Sequence, residues 1–135
     1  MAEIVVDTSV FVAIFKREPA ASSLRNRLNS ASSVLVPAWC LVELALLRRL
    51  HPQLLDWAQD HSLKASYSLI ELTLEEAQLA VKAAKNYGKG SGHPAQLNFG
   101  DCLVYAAAKY REVPLLFTGN DFSSTDIANA LLQED

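Results

Sequence analysis

Ile4-Val5-Val6-Asp7-Thr8-Ser9 is the stretch of sequence on which the fold turns. Three β-branched apolar residues in a row form a short strand, and Asp-Thr-Ser supplies the side-chain oxygens that start a helix. The helix continues through Val10 to Lys16. Pro19 opens a second helical stretch, in which Leu24 and Leu28 recur four residues apart.

The same rhythm repeats along the chain. Ser32-Ser33 break the helix, and Val34-Leu35-Val36 make a second strand. Pro37 stands where a first-turn proline belongs, ahead of a long apolar helix through Trp39, Val42, Leu46 and Leu50. Pro52 begins another helix, with Leu54, Leu55 and Ala58 on its apolar side. Ser68 to Leu72 read as a third strand, and Thr73 caps a helix from Leu74 to Tyr87. Gly88, Gly90, Gly92 and Pro94 rule out regular structure before Ala95. Asn98 to Gly100 lead into an apolar helix, Cys102 to Tyr110. Pro114 to Phe117 form the last strand, and Gly119-Asn120 are a turn. Thr125 is expected to cap a final helix from Asp126 to Leu132. Strands separated by helices predict an α/β fold, a three-layer α/β/α sandwich around a central, mainly parallel sheet. Ligands of such sheets bind outside the carboxyl ends of the strands.

Composition sets the bounds. The 135 residues are half hydrophobic and one-fifth charged, which fits a single folded domain over residues 1–135 rather than a disordered chain. A chain this long buries roughly two-thirds of its unfolded surface and needs no disulfide staples. Cys40 and Cys102 have no Cys or His at ligand spacing and read as small buried hydrophobes. Met1-Ala2-Glu3 offers neither the basic start nor the apolar run of a signal peptide, and no segment is long enough to span a membrane. These features point to the cytoplasm. The net charge of −3 argues against a surface that grips nucleic acid by charge alone. Any such contact must use a divalent cation or a local basic strip, of which Lys16-Arg17, Arg48-Arg49 and Lys82-Lys85-Lys89 are the candidates.

The acids fall in a pattern. Asp7 follows the first strand, Glu43 lies in the second turn of the helix after strand two, Asp101 opens the apolar helix, and Asp121 lies just past the last strand. Each also has a plain structural reading: Asp7, Asp101 and Asp121 stand near helix starts, where acids cap them and suit the macrodipole, and Glu43 by itself reads as an exposed helix residue. Their convergence on one sheet edge is what points to chemistry. Unpaired carboxylates in apolar surroundings are costly unless a cation joins them, and an oxygen-only set suits Mg²⁺ or Mn²⁺. Asp7 and Asp101 are assigned as direct ligands. Glu43 and Asp121 are second ligands or groups that orient water, with Glu43 a candidate general base. Ser9 is placed to hydrogen-bond the site or a phosphate oxygen, and Asp126 is the alternative to Asp121 as fourth acid. His93 reads as a loop residue with a structural hydrogen bond, and His51 and His61 as surface residues.

With these residues laid out, the chain resembles the PIN-domain ribonucleases, and within them the VapC-type toxins of bacterial toxin–antitoxin pairs. The likeness runs nearly end to end, through Ile4-Val5-Val6-Asp7-Thr8-Ser9, Pro37 to Glu43, His93 to Cys102 and Pro114 to Phe122, then Thr125-Asp126-Ile127. Asn98-Phe99-Gly100-Asp101-Cys102 and Gly119-Asn120-Asp121-Phe122 carry it most strongly. The resemblance implies a three-layer fold and an Mg²⁺- or Mn²⁺-dependent endoribonuclease, commonly dimeric. It also implies a small VapB-type antitoxin that blocks the acidic pocket, often with an arginine. The family's acids map onto Asp7, Glu43, Asp101 and Asp121. Thr118 departs from the family by standing where Lys is frequent, and the loop from Gly88 to His93 is longer than usual.

Receiver domains would need adjacent acids after strand one and a late Lys, where this chain has Asp7-Thr8 and Thr118. Haloacid-dehalogenase phosphatases would need Asp-x-Asp, where Ser9 holds the second position. The remaining alternative is a PIN-like module that binds RNA or protein without cutting.

Overall fold

A computed structural model describes residues 3–62 and 64–133. Strand β1 (Glu3–Val6) is followed by helices α1 (Thr8–Phe15) and α2 (Ala21–Ser30), then by β2 (Ser33–Pro37). Helices α3 (Ala38–Leu46) and α4 (Leu54–Ser62) lead to β3 (Tyr67–Ile70), and α5 (Leu74–Tyr87) and α6 (Phe99–Arg111) lead to β4 (Leu115–Leu116). The sheet has the order β3-β2-β1-β4 and every pairing is parallel.

Alternation along the strands divides the interior into two cores. Ile4 and Val6, Val34 and Val36, and Leu116 face one side, where they meet Val10, Phe11, Leu24, Leu28, Leu44 and Leu54. Val5, Leu35, Leu115 and Phe117 face the other, against Ala83, Val104, Tyr105 and Ala107 of the α5–α6 pair. The expected three layers are therefore present. From β1 the chain winds outward to β2 and β3, then returns across the sheet to place β4 on the other side of β1. That reversal opens a crevice between the carboxyl ends of β1 and β4, the usual ligand position in such sheets.

Several boundaries differ from expectation. The final helix over 126–132 does not form. Its place holds a single 3-10 turn, Ala130–Leu132, capped by Asn129, because Asn129 bridges to Leu115 and extends the sheet edge. Helix α3 stops at Leu46, and Val42, Leu46 and Leu50 are exposed rather than buried. Helix α6 begins at Phe99, because Asn98 and not Asp101 occupies the cap position. His61 is not an ordinary surface residue. It stacks on Trp57 with ring centroids 5.0 Å apart and meets the edges of Phe11 and Tyr67. His51 likewise rests against Phe15. Both cysteines are buried, as expected. No helix among the described residues is long and apolar enough to cross a membrane.

Candidate active site

Asp7 sits where β1 ends and α1 begins, and it is 8% exposed. Its Oδ2 accepts the Ser9 N–H at 3.1 Å and so caps α1. Ser9 Oγ in turn accepts the Thr118 N–H at 3.1 Å, tying the loop after β4 to the end of β1. Burial pushes the Asp7 carboxyl up, and the charge of Glu43 adds to the rise, against the hydrogen bonds from Ser9. The structural reading of Asp7 as a helix cap is thus met. One oxygen caps a helix while the group remains a buried acid whose charged form burial disfavours.

Asp101 repeats this pattern. It is the third residue of α6, and its Oδ2 accepts the Asn98 N–H at 3.1 Å while Asn98 Oδ1 accepts the Asp101 N–H at 2.8 Å. This reciprocal capping box stabilises the helix start by about 1 kcal/mol. It also fixes the half-buried carboxyl at the sheet edge. Burial pushes Asp101 up to about 6, with the charges of Asp7 and Asp121 adding to the rise, while the Asn98 N–H and Lys89 oppose it. Asp121 stands on an exposed turn, which Gly119 enters with a φ of +80° that disfavours a side chain.

Glu43 projects from α3, and Thr8 Oγ1 donates to its Oε1 at 2.6 Å. Gly100 lies close to it as well. A Cβ at that position would stand 2.4 Å from Glu43 Oε2. Asp7, Glu43, Asp101 and Asp121 are therefore drawn from four segments of the chain to one edge. Asp126 is not among them. It lies on the outer side of α6, where it accepts from the Tyr105 hydroxyl and, at 2.8 Å, from Lys109 Nζ. Asp121, and not Asp126, acts on Asp101.

Thr8 is the residue that sequence reasoning missed. Its position beside a capping aspartate reads as part of the cap, and nothing local signals a bond to a residue 35 positions away. His93 keeps its expected structural role, since its Nδ1 accepts the Ala95 N–H at 3.1 Å and its ring meets the edge of Tyr87.

The donor set is all oxygen, and the charge of Lys89 bears on Asp101 against the rise. That chemistry fits a hard divalent cation. The fit comes from carboxylates sharing an edge and not from a finished cage. Among the described residues, no three acidic, imidazole or thiol groups are drawn together closely enough to hold a metal ion by themselves.

The PIN domain family model matches residues 4–128, which contain all four acids. The chain belongs to the PIN-domain family. Ribonuclease VapC28 of Mycobacterium tuberculosis is 38% identical over 129 residues, covering 94% of this chain and 97% of that protein. This places the PIN domain among the VapC-type ribonucleases. The crystal structure of Mycobacterium tuberculosis VapC20, a sarcin-ricin loop cleaving toxin, matches with a TM-score of 0.75 at 17% identity, covering 93% of this chain and 96% of that one. A toxin–antitoxin complex from Klebsiella pneumoniae matches with a TM-score of 0.68 at 14% identity over 91% and 92% of the two chains. At these identities the structural likenesses establish the PIN fold alone.

Proposed function

We propose that this PIN domain is an Mg²⁺- or Mn²⁺-dependent endoribonuclease that hydrolyses RNA phosphodiester bonds as the toxin of a cytoplasmic toxin–antitoxin pair. The observation that carries the metal dependence is the state of Asp101, an acid in a half-buried position with Asp7 and Asp121 beside it. Carboxylates brought together this way repel one another, and a divalent cation relieves the repulsion.

Asp7 and Asp101 would hold the cation, with Glu43 and Asp121 as further ligands or as groups that orient water. When bound, the cation supplies an activated water and charge stabilisation at the phosphate. The chain's own part is positional. The capping bonds fix Asp7 and Asp101, Thr8 fixes Glu43, and the Ser9–Thr118 bond holds the β1 and β4 loops together. Lys89 gives the acidic edge one positive neighbour for an incoming phosphate.

The partner of this reading is a small VapB-type antitoxin that places a basic side chain, such as arginine, in the acidic pocket. The toxin acts as a homodimer.

The test is cleavage of total cellular RNA by antitoxin-free protein in Mg²⁺, Mn²⁺ or EDTA, comparing wild type with Asp101→Asn. Discrete fragments that require both metal and Asp101 are expected. Folded protein that cuts nothing in any of these conditions would overturn the reading in favour of a non-cutting PIN-like RNA- or protein-binding module.

A further inference from the structure

Thr8 has a buried hydroxyl whose local task is already done by its neighbour. Asp7 caps α1, so the Thr8 side chain is not needed at the helix start. Thr8 is 8% exposed. Its Oγ1 reaches instead across to α3 and donates to Glu43 Oε1 at 2.6 Å. The second oxygen of the same carboxylate, Oε2, occupies the space above Gly100 that a Cβ would fill. Two elements distant in sequence therefore bear on a side chain carried by a third: the first residue of α1 binds one oxygen, and the first turn of α6 leaves room for the other. A glutamate left to itself on a helix surface keeps several rotamers, and holding it in one costs up to about 2 kcal/mol. The Thr8 bond offsets part of this cost, and the room left at Gly100 admits the carboxylate in that one orientation.

We propose that Thr8 and Gly100 form a seat for Glu43. Thr8 is a positioning residue that orients the Glu43 carboxylate toward Asp7 and Asp101, and the missing side chain at Gly100 is the space the carboxylate enters. This inference rests on the proposed metal-dependent function. Groups that orient a ligand in this way typically contribute 10- to 100-fold to metal affinity or activity.

The experiment is a calorimetric titration of the full chain with Mn²⁺, with RNA cleavage and thermal melting measured on the same samples. The variants are Thr8→Val, Thr8→Ser, Glu43→Gln, Gly100→Ala and Thr8→Val combined with Glu43→Gln. Valine keeps the branched shape of threonine and deletes the donor. Thr8→Val is expected to weaken Mn²⁺ binding about tenfold, and Thr8→Ser to restore it. The double variant is expected to bind no worse than Glu43→Gln alone, because a residue acting only through Glu43 has nothing left to hold. Gly100→Ala removes a helix-weakening glycine and displaces only the end of a side chain, so it should fold and still lose affinity as Glu43→Gln does. Wild-type affinity in Thr8→Val or in Gly100→Ala overturns the seat. So does a Thr8→Val loss that adds in full to that of Glu43→Gln. Wild-type protein that neither binds Mn²⁺ nor cleaves RNA overturns the proposed function and this inference together. Wild-type protein that does both, while Thr8→Val matches it, overturns the inference alone.

Discussion

Arg111, the last residue of α6, forms an ion pair with Glu76 in the first turn of α5. Glu76 is fully buried, and it is also the closing member of the Thr73 capping box, accepting from the Thr73 N–H at 3.0 Å and the Thr73 hydroxyl at 2.7 Å. Arg111 further donates to the Ala107 carbonyl at 3.0 Å. One buried carboxylate thus ends one helix and starts another. The pair lies at the end of the α5–α6 layer remote from Asp101, so it serves the scaffold and not the site.

Removing one partner of such a pair strands the other. Arg111→Met is expected to destabilise the domain by about 3–5 kcal/mol, read from urea denaturation, because Glu76 is left charged and unpaired in the interior. Burial pushes Glu76 up, but its bonds from Arg111 and Thr73 outweigh this and carry it below its ordinary value. A depressed carboxyl gives stability that is present above its unfolded pKa and is lost as pH falls through the folded one. Wild type should therefore weaken in acid below about pH 4.5, and Arg111→Met should show less of that slope. An unchanged urea midpoint in Arg111→Met would refute the assignment.

Asp101 has the opposite sign. Its carboxyl is raised from 3.8 to about 6, so the folded chain holds the proton more tightly than the unfolded chain does. Its contribution is full below the unfolded value and is lost as pH rises through the window between the two. Asp101→Asn keeps an acceptor for the Asn98 N–H and removes the charge. Without metal, at neutral pH, it is expected to melt ~3–5 °C above wild type, roughly 1 kcal/mol once solvent screening of a half-exposed group is allowed for. The two melting curves should converge near pH 4, and the variant should not cleave RNA. A variant that melts below wild type throughout would show that Asp101 serves the fold alone.

Metal binding should reverse that penalty. Mn²⁺ at one hundred times its dissociation constant is expected to add about 2.7 kcal/mol of stability, visible as a rise in melting temperature that EDTA abolishes. Protons compete for Asp7 and Asp101, whose carboxyls are both raised, so the metal-induced rise should shrink as pH drops below about 6. Differential scanning fluorimetry over a pH series measures this directly. A metal response independent of pH would point to ligands other than these acids.

The Tyr67 hydroxyl is buried in the aromatic group around His61 with no hydrogen-bond partner among the described residues. Burial without a partner is unfavourable for a hydroxyl, so Tyr67→Phe is expected to be neutral or stabilising by about 1 kcal/mol. A loss of that size in chemical denaturation would mean that the hydroxyl is satisfied.

Much of the scaffold was legible because its causes are local. Short apolar runs marked all four strands, β-branched in β1 and β2, and Thr73 announced the start of α5 to the residue. The acids could be found because short strands fix where the carboxyl edge lies, so Asp7, Glu43, Asp101 and Asp121 could be assigned to it from their places in the chain. Where the sequence misled, a distant partner had changed the outcome. The segment after Thr125 has a capping signal, yet Asn129 pairs with Leu115 and the helix is lost. His61 looks polar by composition, but Phe11, Trp57 and Tyr67 surround it. The sequence alone determined an α/β chain of PIN type with four acids bound for one edge. Only the tertiary structure separated Asp121 from Asp126, since the Tyr105 and Lys109 bonds hold Asp126 on the far flank of α6. Only it joined Thr8 and Gly100 to Glu43. Pairings across 35 or more residues depend on how layers pack, and no local propensity records them.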